Sequence, residues 1–189
     1  MAETRKQLEA LAESGRYCTV ERSVDDDTER HYGYVVAIGD DHFAMETFHQ
    51  FHRDGVCVFR LEDAREVSTS DSNDFFGKII TKEGLRHELP PKDVLRGYTS
   101  LLDWAAGGSE LVVMEAESNQ PDEGDFWLGR VVSVSGGMMD LVYVDATGCW
   151  DDEPSRIPVA DLTRVEVRSK YCELFAKYAE PFDEDGRTA

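Results

Sequence analysis

The chain has 189 residues, with 39 acidic against 20 basic side chains, a formal charge of −19 and 41% apolar residues. That apolar share is enough for a folded core and excludes a wholly disordered chain. So acidic a surface repels phosphate unless a local basic patch overrides it, which disfavours polyanion binding.

The first predicted element is a helix over Thr4–Ser14, where Leu8, Leu11 and Ala12 share a face and Gly15 supplies the C-terminal stop. Strands follow at Arg16–Arg22, around Gly33, through Phe43, Met45 and Thr47, at Val56–Leu61 and at Arg65–Ser68. Asp25-Asp26-Asp27, Gly39-Asp40-Asp41 and Asp54-Gly55 mark the turns between them. A closing helix comes next, with Phe75, Phe76 and Ile79 on one face.

The order then repeats. Pro90-Pro91 opens a second helix carrying Val94, Tyr98, Leu101 and Ala105 on one face, stopped by Gly107-Gly108. Strands are expected at Leu111–Glu117, around Gly129, through Met139, Leu141 and Tyr143, at Ser155–Val159 and at Thr163–Arg168. The last helix sets Tyr171, Leu174, Phe175 and Tyr178 in one stripe before Pro181. The acidic tail 183–189 has no apolar anchor and is expected to fray.

The two halves align in sequence as well as in pattern. Tyr32-Gly33-Tyr34-Val35-Val36 lies over Leu128-Gly129-Arg130-Val131-Val132, 96 residues apart. Leu61–Val67 lies over Val159–Val165 at 98, Asp74–Lys78 over Glu173–Lys177 at 99, and Tyr17–Glu21 over Leu111–Glu115 at 94. Four blocks in one order at a nearly constant spacing point to an internal duplication. The units run over residues 1–88 and 89–182, followed by the tail. The expected class is mainly β with short helices (α+β), each unit having an N-terminal helix, five strands and a short closing helix.

Glycine inside a strand marks a tight bend or a close backbone approach, and Gly33 and Gly129 hold that place in the two second strands. A short helix and five short strands with apolar-x-Gly-x-apolar in the second strand, an Asp turn and an apolar third strand resemble the Sm-like family. More generally they resemble an SH3-like barrel. The resemblance implies two tandem small open barrels. It also implies assembly through the edges of the fourth and fifth strands, so that Val56, Val58 and Arg60 of one unit pair with Thr163, Val165 and Val167 of another. Such pairing within the chain makes a pseudo-dimer; between chains it makes a homo-oligomer.

The chain departs from that family at its RNA contacts. RNA-binding relatives carry an Asn shortly after the turn Asp, where this chain has Ala44 and Asp140. They carry an Arg-Gly element between the last two strands, where it has Asp63-Ala64 and Asp161-Leu162. An ionised carboxylate cannot donate to phosphate. If RNA bound, His42, Phe43 and Arg130 would supply stacking and charge through a remodelled groove.

Other chemistry is thinly represented. His49 and His52, with Asp54 or Cys57, could begin a metal site but have no counterpart in the second unit, and no metal or other cofactor is expected. Glu115 and Glu117 fall on one strand face expected to be exposed. The four isolated cysteines, Cys18, Cys57, Cys149 and Cys172, read as reduced and mostly buried thiols. The acidic loops, Asp122-Glu123 and Asp151–Glu153 among them, read as solvated loops or as a docking surface for a basic protein partner. No phosphate-cradling glycine loop or nucleophile elbow is present. No run approaches the roughly 18 apolar residues of a membrane helix, and no apolar signal core opens the sequence, so a cytoplasmic protein without membrane contact is expected.

The reading is therefore a non-catalytic interaction or assembly module. RNA binding is the alternative, and a small hydrolase or metal-dependent enzyme comes third.

Overall fold

The computed structural model describes residues 2–25, 27–117 and 125–182. Asp26, the Asp122-Glu123 loop and the tail 183–189 lie outside the described residues.

Helix α1 (Ala2–Ser14) is followed by strands β1 (Tyr17–Val24), β2 (Asp27–Ile38), β3 (His42–His49), β4 (His52–Arg60) and β5 (Ala64–Ser68), then helix α2 (Asp71–Lys82). After a connection come α3 (Tyr98–Gly108), β6 (Leu111–Ala116), β7 (Asp125–Ser135), β8 (Met138–Tyr143), β9 (Ser155–Pro158), β10 (Arg164–Val167) and α4 (Lys170–Tyr178). The protein is thus mainly β with short helices. Its strands form one antiparallel sheet in the order β5-β1-β2-β3-β4-β10-β6-β7-β8-β9. In each half the fifth strand lies beside the first, and the halves meet where β4 pairs with β10.

Local irregularities recur at matching places. The β2–β3 register slips between Val35 and Ala37, and the β7–β8 register slips between Val131 and Ser133. A Cβ on Gly33 would lie 1.9 Å from the Glu46 carbonyl oxygen, and one on Gly129 would lie 2.2 Å from that of Val142. Both second strands therefore need glycine to let the third strand approach.

The largest apolar cluster spans both halves. It takes Tyr34, Val56 and Val58 from one side, Met114, Val165 and Leu141 from the other, and Leu101 and Leu102 from α3. A second cluster packs Leu8 and Leu11 of α1 over Phe43, Met45 and Phe59. Strand β3 is buried on both faces because it lies between these two layers.

One helix expectation is corrected, and the closing helices show which of their residues are buried. The helix placed after Pro90-Pro91 begins at Tyr98, because Gly97 is fully extended and Val94–Arg96 form a separate 3-10 turn. In α2 the fully buried apolar residue is Ile80, while Phe75 faces solvent. In α4 the buried residue is Cys172, whereas Tyr171, Leu174 and Tyr178 are exposed.

Candidate functional site

The junction of the two halves gathers the six residues expected on assembly edges. Val58 lies opposite Val165, and Val56 opposite Val167, all four without solvent exposure. The pairing is made within one chain. Arg60 stands one step beyond the paired stretch and grips both oxygens of Asp63 at 2.8 and 3.1 Å. Thr163, just ahead of β10, is buried. Its hydroxyl donates to the Glu115 carbonyl and accepts from the Glu117 amide, and its own carbonyl accepts from the Tyr98 hydroxyl at 2.6 Å.

Charged side chains cross the same junction. Arg22 of β1 is almost fully buried; its guanidinium donates to Glu117 at 2.7 Å and to the Thr163 carbonyl at 3.2 Å, and it packs over the Phe59 ring. Arg164 of β10 donates to Glu115 and lies 3.8 Å from Glu29 of β2. His31 feels both charges, and its ring lies 4.5 Å from that of Phe59. Burial, followed by the Arg22 and Arg164 charges, pushes its pKa down to about 3. Burial raises the Glu115 carboxyl against the pull of Arg164. Burial also works to raise Glu117, but the Arg22 hydrogen bond and charge, with help from Thr163, leave it below its ordinary value. Glu115 and Glu117 are therefore half-buried members of an ion network, not the exposed pair expected.

A second buried charge straps the connection between the halves. Glu46, without solvent exposure, accepts from Arg53 at 3.0 Å and from Arg86 at 2.6 Å. Arg86 also packs 4.1 Å over the Tyr34 ring. At the other end, a Cβ on Gly39 would lie 1.9 Å from the Arg96 carbonyl oxygen, so the connection runs tight against the β2–β3 turn. Neither Glu46 nor Arg22 was singled out from the sequence. For Glu46 the available signal was a lone carboxylate in a strand that is otherwise mostly apolar.

An open cleft of about 1400 Å³ lies along this turn, the Arg60–Glu62 segment, the residues leading into α3, and Val159–Leu162. Three arginines (Arg5, Arg60, Arg96) face four carboxylates (Glu9, Asp40, Asp41, Glu62) on its walls. His42 lines it, edge-on to Tyr98 at 4.2 Å. Burial is the largest influence on the His42 imidazole and holds its pKa below the ordinary value, so the ring is neutral at pH 7.

The other two residues named for RNA contact do not join His42. Phe43 is completely buried against Phe59 and has no free face to stack a base. Arg130 lies in the other half, its guanidinium 4.5 Å from the Phe182 ring.

His49 and His52 face each other across β3 and β4. Among the described residues no three His, Cys, Asp or Glu side chains gather as metal ligands would. Cys18, Cys57 and Cys172 are buried free thiols and Cys149 is exposed. Burial, then the Glu166 charge, raises the Cys57 thiol well above its ordinary value, which removes it as a nucleophile. No described helix is long and apolar enough to cross a membrane.

The outer edges of the sheet differ from the inner junction. β5 exposes Arg65, Glu66 and Ser68, and among the described residues no strand pairs on its outer side. β9 is four residues long, ends in Pro158, follows Pro154 and exposes Arg156. Comparison of the chain with protein-family models, with curated proteins and with solved structures finds no match.

Proposed function

We propose that the chain is a non-catalytic tandem of two Sm-like barrels acting as a protein-interaction module, with the family's between-subunit strand junction made inside one chain. The observation that carries this reading is the strand order: fifth strand beside first in each half, with β4 of one half meeting β10 of the other. The recurring bulges and the glycines at equivalent places support it. The apolar edges that would drive self-assembly are used up within the chain. What remains outside is short, charged or bounded by proline, the means by which natural sheets discourage edge pairing. An acidic protein with such edges suits a basic protein partner better than a ring of its own copies.

RNA binding through the cleft is the competing reading, favoured only by the cleft's size. Its walls carry one more carboxylate than arginine, its histidine is neutral, and Phe43 is unavailable for stacking.

Two measurements test the proposal together. Light scattering across a concentration series is expected to return the single-chain mass of 21.3 kDa. Titration with labelled oligouridine at low salt, where the electrostatic attraction is strongest, is expected to show no binding. A ring-sized species, or RNA binding that weakens steeply with salt, would overturn it.

A further inference from the structure

A cavity of about 330 Å³ is walled by β4, the connection between the halves, the start of β6 and α4. Arg53 lines it with a side chain only 7% exposed. The Arg53 Nε donates to Glu46 at 3.0 Å, and its Nη1 donates to the Arg168 carbonyl at 3.1 Å. Its Nη2 is buried and has no acceptor among the described residues. A buried donor on a charged group calls for an acceptor, because leaving it open forfeits its hydration with nothing in return.

The neighbouring groups are already engaged. One oxygen of Glu46 accepts from Arg53 and from the His87 amide, and the other accepts from Arg86 at 2.6 Å. Two guanidinium groups share this single buried carboxylate, so the cluster keeps one positive charge. Arg168 has a left-handed φ of 55°, uncommon for a residue with a side chain. Its guanidinium anchors it there, donating to Glu110 at 3.1 Å and to the Glu88 carbonyl at 3.2 Å. Arg53 is bonded to this anchored carbonyl on one side and to Glu46 on the other, which holds Nη2 in a fixed position.

The cavity walls select among anions. Leu111, Cys172 and Ala176 give it an apolar side. Glu110 is held by Arg168, and Glu173 by Lys170 at 3.2 Å. The exposed Glu88 also lies on the wall and repels a dianion more than a monoanion. A single carboxylate on a short apolar chain meets these conditions together: an acceptor for Nη2, one negative charge, and a tail for the apolar side.

We propose that this cavity binds a small aliphatic monocarboxylate, its carboxylate accepting from Arg53 Nη2 and its chain lying against Leu111, Cys172 and Ala176. The site is separate from the strand junction and does not rest on reading the halves as Sm-like units.

The probe is hexanoate, titrated into the full chain by isothermal calorimetry. Saturable binding with a Kd of about 1 mM is expected. Hexanol, which lacks the charge, and inorganic phosphate, which lacks the tail, should each bind at least about tenfold more weakly. Arg53→Lys keeps a cation on Glu46 but removes the Nη2 donor, and should weaken hexanoate about tenfold. Ala176→Leu fills the cavity from an exposed position on α4. It should abolish hexanoate binding with thermal melting unchanged, which keeps the test sound if Arg53→Lys fails to fold. In nitrogen NMR of the arginine side chains, hexanoate should shift the Arg53 guanidinium signal and leave that of Arg22 in place. No saturable heat at tens of millimolar hexanoate, or equal affinity for hexanol, would overturn the proposal. Equal affinity for phosphate would mark an adventitious ion only and overturn it as well. So would unchanged affinity in Ala176→Leu or in a folded Arg53→Lys protein. The single-chain mass in light scattering does not depend on hexanoate, so the tandem-module reading stands or falls separately.

Discussion

The most demanding prediction concerns His31. Its side chain is only 12% exposed and lies within electrostatic reach of two guanidinium groups, Arg22 and Arg164, with Glu29 3.5 Å away and Glu117 as an opposing charge. A proton on this ring must be accommodated beside two cations with little water, so the pKa falls from 6.5 to about 3. The group's contribution to stability is complete above the unfolded value of 6.5. It declines as pH falls, because the unfolded chain takes up a proton that the folded chain refuses, and the loss levels off near pH 3. Between pH 7 and pH 5 the unfolded imidazole goes from mostly neutral to mostly charged while the folded one stays neutral. At 1.36 kcal/mol per pKa unit the protein should lose about 2 kcal/mol from this residue over that interval. Urea denaturation of the wild type and of His31→Gln at both pH values isolates the effect, since the carboxylates are common to both proteins. The wild-type decrease should exceed the variant's by about 2 kcal/mol. Equal decreases would show that His31 is protonated readily in the folded chain and refute the reasoning.

Other substitutions probe the junction and the strand contacts. Gly33→Ala puts a methyl 1.9 Å from a carbonyl oxygen that belongs to a paired strand, so chemical denaturation should show a loss of about 3 kcal/mol, with Gly129→Ala losing a similar amount. Val165→Asp buries a carboxylate between Val58 and Met114; thermal melting should show loss of the cooperative transition or a cost of about 4 kcal/mol. Arg22→Met leaves the half-buried Glu117 without its cation and should cost about 3 kcal/mol in urea. Adding Glu117→Gln should recover part of that, and strictly additive losses in the double-mutant cycle would contradict the network.

Much of the strand layout was legible because strand signals are local. Valine-rich runs and glycine and aspartate turns each lie within a few residues, and the blocks they form recur at a nearly constant spacing. The helical stripes were legible as stripes, but their burial was not. Periodicity says that Tyr171, Leu174 and Tyr178 share a face of α4, but not which face another element covers; the structure turns Cys172 inward instead. Gly97 shows a similar limit: Val94 and Tyr98 have helical spacing, yet the extended glycine between them divides the pattern in two. Of the candidate contacts, the valines of β4 and β10 could be named because the family resemblance implied pairing of fourth and fifth strand edges. The charges around Arg22 and Glu46 could not, because their partners lie up to 141 residues away.

By itself the sequence determined the mainly β class with short helices, the approximate strands, the two glycines that admit a close neighbour, and an acidic charge spread over both halves, −8 in residues 1–88 and −11 in the rest. The tertiary structure decided that β4 and β10 meet within one chain, that Phe43 is sealed in a core, and that Glu115, Glu117 and His31 belong to one half-buried network. Hydrophobic and turn patterns act over a few residues and can be read along the chain. Desolvation and ion pairing depend on which distant groups share the same low-dielectric space, and only the folded packing brings those groups together.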